Sequence, residues 1–263
     1  MDLGLHNARV LVTAASAGLG AATARRFSME GAQVVINSRN LDKLQTTATT
    51  INEQTGNPVF THAADVSEPA AAEKLIDNSI AMLGGLDIVV TNAGGPPAGT
   101  FETFDYETWR QAVDLTLLSA VNLIRSSLPH LKQSNRAAVL AIVSIAAKQP
   151  VENLTLSNTL RPAVVGLTKT LSLELGAEGI RFNSILPGIT QTERVDHLMQ
   201  ARAEKNNTDA ETELANAANS IPIKRVGTAD EFANAAVFLC SPAASFITGV
   251  ALAVDGGATR STM

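Results

Sequence analysis

A chain of 263 residues, 45% hydrophobic and 17% charged, is long enough to close one large core, and residues 1–263 read as a single domain. A net charge of −5 without a basic stripe argues against nucleic acid, the lone Cys240 excludes an intrachain disulfide, and the scattered His6, His62, His130 and His197 have no metal-ligand spacing. No apolar run is long enough to span a membrane and the first nine residues carry no basic leader, so a cytoplasmic protein with neither membrane nor metal is expected.

Short β-branched runs alternate with longer helical patterns, the order expected of βαβ units around a parallel sheet. Strands are expected at 9–13, 33–37, 59–63, 88–91, 138–144, 181–186 and 251–254. Helices are expected at 19–30, 41–54, 69–83, 106–131, 162–178 and 229–239. The polar, Ala-rich segment 191–220 interrupts this rhythm beyond a strand's carboxyl end, where a substrate lid would lie; a helical surface excursion fits the same composition.

The chemistry begins with the first strand. Thr13-Ala14-Ala15-Ser16-Ala17-Gly18-Leu19-Gly20 is a small-residue turn that runs directly into a helix. Gly18 and Gly20 permit close backbone approach, and the helix's first N–H groups and positive dipole end suit a pyrophosphate. The second strand ends at Ser38-Arg39, where a dinucleotide-binding unit that holds a bare ribose diol would carry an acid. A guanidinium there favours a 2′-phosphate, and so NADP over NAD; an ordinary solvated turn charge is the competing reading of Arg39. Asp65-Val66 and Thr91-Asn92-Ala93-Gly94 close the third and fourth strands, again at carboxyl ends where ligands bind in open α/β sheets.

Residues 13–20, Asp65, Asn92-Ala93-Gly94, Ser144, Pro187-Gly188 and Asp255-Gly256-Gly257 together resemble the short-chain dehydrogenase/reductase family, along almost the whole chain. Within it the chain looks most like the 3-oxoacyl-carrier-protein reductases and their sugar- and polyol-oxidising relatives. The resemblance implies an α/β three-layer Rossmann fold with a seven-stranded, parallel, doubly wound sheet, a nicotinamide cofactor, and a small-molecule carbonyl or alcohol substrate. It further implies a homotetramer or homodimer, with helices 106–131 and 162–178 pairing across a two-fold axis. Pro187-Gly188-Ile189 would face the nicotinamide carboxamide, and Thr192 the phosphates. Ala14 stands where the family usually has a glycine.

The reacting centre departs further from the family. Thr116 aligns with the family's Asn, Ser144 is retained, and the Tyr-x-x-x-Lys position reads Ser157-Asn158-Thr159-Leu160-Arg161. Ser157 is a far weaker acid than a phenol. Arg161 keeps the positive charge for the ribose but cannot give up a proton. Pro162 should start the helix and leave 157–161 irregular. The only tyrosine, Tyr106, lies on another helix. Lys148 or Glu152, in the loop after Ser144, could replace the missing acid or simply be solvated. The sequence thus points to an NADP-dependent oxidoreductase using Ser144, Ser157, Arg161, Thr116 and Lys148. An NADP-binding pseudoenzyme with a sensing or scaffolding role is the alternative, and a dehydratase using Lys148 or Glu152 is a third, fainter one.

Overall fold

The computed structural model describes residues 2–262. Its strands are β1 (Arg9–Val12), β2 (Gln33–Ser38), β3 (Val59–Ala63), β4 (Ile88–Thr91), β5 (Ala138–Ile142), β6 (Arg181–Pro187) and β7 (Ala251–Val254). They form one sheet in the order β3-β2-β1-β4-β5-β6-β7, and every pairing is parallel. Between them lie α1 (Gly18–Met29), α2 (Leu41–Thr55), α3 (Pro69–Leu83), α4 (Tyr106–Val113), α5 (Ser119–Leu131), α6 (Thr155–Glu174), α7 (Glu193–Asn206), α8 (Ala210–Ser220) and α9 (Ala229–Cys240).

The two-residue side-chain period of a strand explains the three layers. Val10 and Val12 of β1, Val34 and Ile36 of β2, and Ile88 and Val90 of β4 point to one face, where Phe27 of α1, Leu44 and Ile51 of α2 and Phe232 of α9 cover them. Leu11, Val35 and Val89 point to the other face, covered by Leu75 and Ile76 of α3 and by Leu123 and Ile124 of α5. A sheet buried on both faces requires apolar residues at every position, which is why these strands lack polar alternation.

Strand order reverses between β1 and β4, which opens a crevice at their carboxyl ends. Val10 pairs with Val34 on one side and with Ile88 on the other. At the opposite end of the same two strands, buried Asp87 accepts hydrogen bonds from the Arg9 amide at 2.9 Å, Arg9 Nε at 3.0 Å and Ser134 Oγ at 2.7 Å. This anchor fixes the crevice from below.

Two expectations change. The helix read as 162–178 begins seven residues earlier, at Thr155, and carries Pro162 in its interior. Proline removes one backbone donor there. The Asn158 side chain braces the first turn instead, accepting from the Val151 amide at 2.9 Å and donating to the Val151 carbonyl at 2.8 Å. Burial of Leu156, Ser157, Leu160 and Arg161 supplies the rest. The helix read as 106–131 is interrupted by a π-helical turn over Asp114–Leu118. Segment 191–220 forms α7 and α8, which pack on each other; Met199, Ala203 and Ala217 are among their buried residues. Among the described residues no helix is long and apolar enough to cross a membrane.

Candidate active site

The β1–α1 turn is tied to its neighbours by the small residues that form it. Thr13 Oγ1 donates to the Asn92 carbonyl at 2.6 Å and accepts from the Asn92 amide at 2.8 Å. Asn92 Nδ2 donates to the Ala14 carbonyl at 3.2 Å, and the Ala15 amide to the Asn37 carbonyl at 2.8 Å. The Ser16 carbonyl accepts from Thr47 of α2 at 2.8 Å. The N-cap of α1 is Ala17, which offers no side-chain cap, and its first turn holds no acid. Amides that most helices satisfy from their own chain are therefore left for an anion at Gly18, Leu19 and Gly20.

Ala14 adopts φ +47°, a left-handed conformation that costs an L-residue about 1–2 kcal/mol. Glycine there removes that strain but adds about 0.5–1 kcal/mol of unfolded-state entropy. Ala14→Gly should therefore stabilise the protein by up to about 1 kcal/mol and leave cofactor affinity unchanged; a lowered melting temperature would contradict this assignment of strain.

Around this turn the structure gathers the other residues expected to hold a dinucleotide. Ser38 is buried and its hydroxyl donates to the Asn40 carbonyl at 3.2 Å, while the Arg39 side chain remains 76% exposed. Arg39 stands 3.8 Å from Asp65, whose other oxygen accepts from the Ser67 amide and hydroxyl at 3.0 and 2.7 Å. Val66 is buried beneath, and Ala93-Gly94 continue from Asn92 at the end of β4. Across the crevice, Thr192 is placed so that a Cβ on Gly18 would meet its methyl at 3.5 Å. The chain leading there is held by Gly188 donating to the Val254 carbonyl at 3.0 Å and Gly227 donating to the Ile189 carbonyl at 3.0 Å. Gly188 has no room for a side chain, since a Cβ would come within 2.7 Å of Asp255, and Pro187 ends β6 just before it.

The residues expected at the reacting centre come from the segment after β5, the π turn and α6. Ser144 follows β5 as the N-cap of a single 3-10 turn, Ile145–Ala147, and its oxygen accepts from the Ala146 amide at 3.1 Å. Its hydroxyl hydrogen stays available to an acceptor in the cleft. Ser157 is buried in the first turn of α6. Arg161, one turn on, is also buried; Nη1 donates to the Ile142 carbonyl at 3.4 Å and Nε has no partner. Burial, and then the charge of Arg194, push the Arg161 guanidinium down to about 10. Thr116 lies in the π turn, buried, its hydroxyl also without a partner. Lys148 closes the 3-10 turn and is half-buried, whereas Glu152 is exposed on the next loop. Tyr106 is 84% exposed at the start of α4 and takes no part.

Strand order, the uncapped turn at the reversal, and Asn92 and Ser144 at strand ends form the same constellation that the sequence suggested. A family model described as enoyl-(acyl carrier protein) reductase matches residues 13–259. The chain belongs to the short-chain dehydrogenase/reductase family. Short-chain dehydrogenase/reductases are oxidoreductases, and that broad class applies here. The uncharacterized oxidoreductase YvrD of Bacillus subtilis is 34% identical over 267 residues, covering 99% of this chain and all of that protein. The structure of L-sorbose reductase from Gluconobacter frateurii, in complex with NADPH and L-sorbose, superposes with a TM-score of 0.95 at 32% identity, covering 99% of this chain and 100% of that one. The NADPH-bound short-chain oxidoreductase of Pseudomonas aeruginosa, described as containing an atypical catalytic center, superposes at 0.88 and 27% identity, covering 98% and 100%.

One residue escaped the sequence reading. Arg194, at the start of α7, lies with its guanidinium against Gly95, where a Cβ would overlap both terminal nitrogens. Its only signal in the sequence was a position two residues after Thr192, inside a polar run that looks like a solvated face.

Proposed function

We propose that the protein is an NADP(H)-dependent carbonyl reductase, or the corresponding secondary-alcohol dehydrogenase, of the 3-oxoacyl-reductase type. The uncapped α1 N-terminus beneath Gly18 and Gly20 carries this reading, since it offers backbone donors and no competing acid to a pyrophosphate. The NADPH-bound relatives support it. Bound NADPH supplies a hydride to a carbonyl carbon, and a proton from water completes the alcohol.

The residues divide the remaining work. Ser144 donates its free hydroxyl hydrogen to the substrate oxygen. Arg161 stabilises negative charge developing on that oxygen and orients the nicotinamide ribose, without surrendering a proton. Ser157 relays a proton from water, and Thr116 offers its unpartnered hydroxyl to the same network. The substitution of Ser157 and Arg161 for Tyr and Lys also suits a second reading, an NADP-binding protein that no longer turns over. Incubation with NADPH and a panel of 3-oxoacyl thioesters, 3-oxo acids and diketones separates the two. Oxidation of NADPH with stoichiometric alcohol is expected; cofactor binding without turnover, with activity appearing only in the Ser157→Tyr, Arg161→Lys double variant, would favour the second.

Arg39 sets the cofactor preference in this reading, because its exposed guanidinium is free to leave Asp65 for a 2′-phosphate. Arg39→Ala should weaken NADPH about tenfold, equivalent to about 1.4 kcal/mol, and leave NADH within twofold. Equal losses for the two dinucleotides, measured by fluorescence titration, would remove Arg39 from this role. Exposed Leu118 and Leu173, on the π turn and α6, support self-association through these helices. A monomer mass in sedimentation would oppose it.

A further inference from the structure

The chain that follows β7 runs along three parts of the candidate site. Asp255 folds it: one carboxylate oxygen accepts from the Gly257 amide at 2.9 Å, the other from the Thr259 amide at 2.8 Å. The Asp255 side chain itself lies on Gly188, whose amide is bonded to Val254. Gly256 and Gly257 take φ +63° and +84°, so the turn can settle on Ile221, Pro222 and Ile223 at the foot of α8. Beyond the turn, the Arg260 amide donates to Gln149 Oε1 at 2.9 Å. Gln149 stands in the loop that leads from Ser144 to α6. The amides of Ala146, Ala147, Lys148 and Gln149 bond back to Ser144 or Ile145, and Val151 is fastened to Asn158, the neighbour of Ser157. Those bonds are local to the loop and its helix. The Gln149 side chain instead joins residues 111 apart and ties the loop to the segment that rests on Gly188.

We propose that Asp255–Arg260 is a strap that holds the Ser144 loop in register with the Gly188 turn, with Gln149 the positioning residue through which it acts. This rests on the reductase reading above, in which the Ser144 hydroxyl meets the substrate oxygen and the Gly188 turn faces the nicotinamide. The strap then sets the spacing between the two reacting partners, and a misplacement of about 1 Å there can cost on the order of a hundredfold in rate. Cofactor affinity comes mainly from the β1–α1 turn, which the strap does not touch.

Three variants test this: Gln149→Leu removes the acceptor at similar volume, Gln149→Glu keeps it, and Asp255→Asn weakens the fold at the other end of the strap. Kinetics use NADPH and whichever 3-oxoacyl thioester, 3-oxo acid or diketone the wild type reduces fastest. Gln149→Leu should lower kcat/KM about tenfold with NADPH affinity within about twofold, and Gln149→Glu should stay within about threefold of wild type. Asp255→Asn should also lose kcat/KM, and the double variant Gln149→Leu, Asp255→Asn should lose little more than the worse single one, because both act through one strap. Hydrogen exchange, which needs no turnover, should quicken at residues 145–149 in Gln149→Leu and stay unchanged at 13–20. Unchanged exchange at 145–149 would overturn the proposal, as would unchanged kcat/KM, no recovery in Gln149→Glu, or multiplicative losses in the double variant. An equal loss of NADPH affinity would overturn it too, since the strap would then serve the cofactor. Quickened exchange in a protein that reduces none of the panel would retain the strap as the loop's anchor and remove the reductase reading.

Discussion

Arg161→Met should raise the melting temperature while lowering turnover at least about a hundredfold, the loss typical of removing one charge-stabilising donor. The two effects have one origin. A guanidinium buried at the base of a cleft, with no carboxylate and one long hydrogen bond, is an uncompensated charge. Holding its affinity for a proton down to about 10 corresponds to a penalty of about 3 kcal/mol. The sign is fixed by linkage: the unfolded chain binds this proton more tightly, so the penalty is complete below about pH 10 and fades as pH rises above it. At neutral pH the wild type bears it in full. Methionine fills much of the same volume without the charge and should recover about 1–3 kcal/mol, several degrees in a chain of this size. Calorimetric melts and steady-state kinetics at pH 7.5 read both quantities. A variant that melts lower would mean that Arg161 is a structural cation rather than one kept for function.

Gly20→Ala should be severely damaging for the addition of a single methyl. A Cβ at this position would overlap the Ala14 carbonyl oxygen and lie 2.9 Å from the Ala15 Cα, both backbone atoms of the turn that α1 packs against. Backbone cannot rotate aside as a side-chain tip can, so α1 must lift from β1. Overpacking of this kind costs about 3 kcal/mol, or roughly 10 °C. Because the same displacement moves the helix's first amides, NADPH affinity should fall at least tenfold. Gly166, where an added methyl would meet no atom within 4 Å, provides the contrast: Gly166→Ala on α6 should not lower stability. Parallel melts and fluorescence titrations of the two variants would decide, and equal behaviour would show that Gly20 is not a close-approach position.

The centre of the sheet was legible because burial on both faces demands apolar, largely β-branched runs, as at Val10–Val12, Val34–Ile36 and Ile88–Val90; the half-buried edge strands β3 and β7 were read from their place in the alternation of strands and helices. The turn after β1 was legible for a similar reason: Gly18 takes φ +57° and Gly20 lies against Ala14 and Ala15, requirements set within a few residues, and local geometry leaves local patterns. The reacting centre was less so. Pro162 looked like a helix start because its intrinsic preference is strong, yet the Asn158 side chain bracing Val151 and the buried face of α6 override it. That brace joins residues seven apart and has no periodicity to betray it. The π turn at Asp114–Leu118 likewise adds one residue to a helix whose apolar pattern continues on either side. Arg194 could not be found at all, because its meaning comes from Gly95, about a hundred residues away.

The reversal of strand order also governs when the crevice can come into being. One wall hangs from β1 and the other from β4, and Val10 meets Ile88 only after the intervening strands and helices have been laid down. No hairpin offers a short-range nucleus, so every neighbouring pair waits on a distant closure, a topology associated with slow folding. A ligand that spans both walls recognises nothing earlier on the path than that closure. It therefore acts as a brake on unfolding rather than as a guide to folding, lengthening the lifetime of the finished protein without hastening its birth.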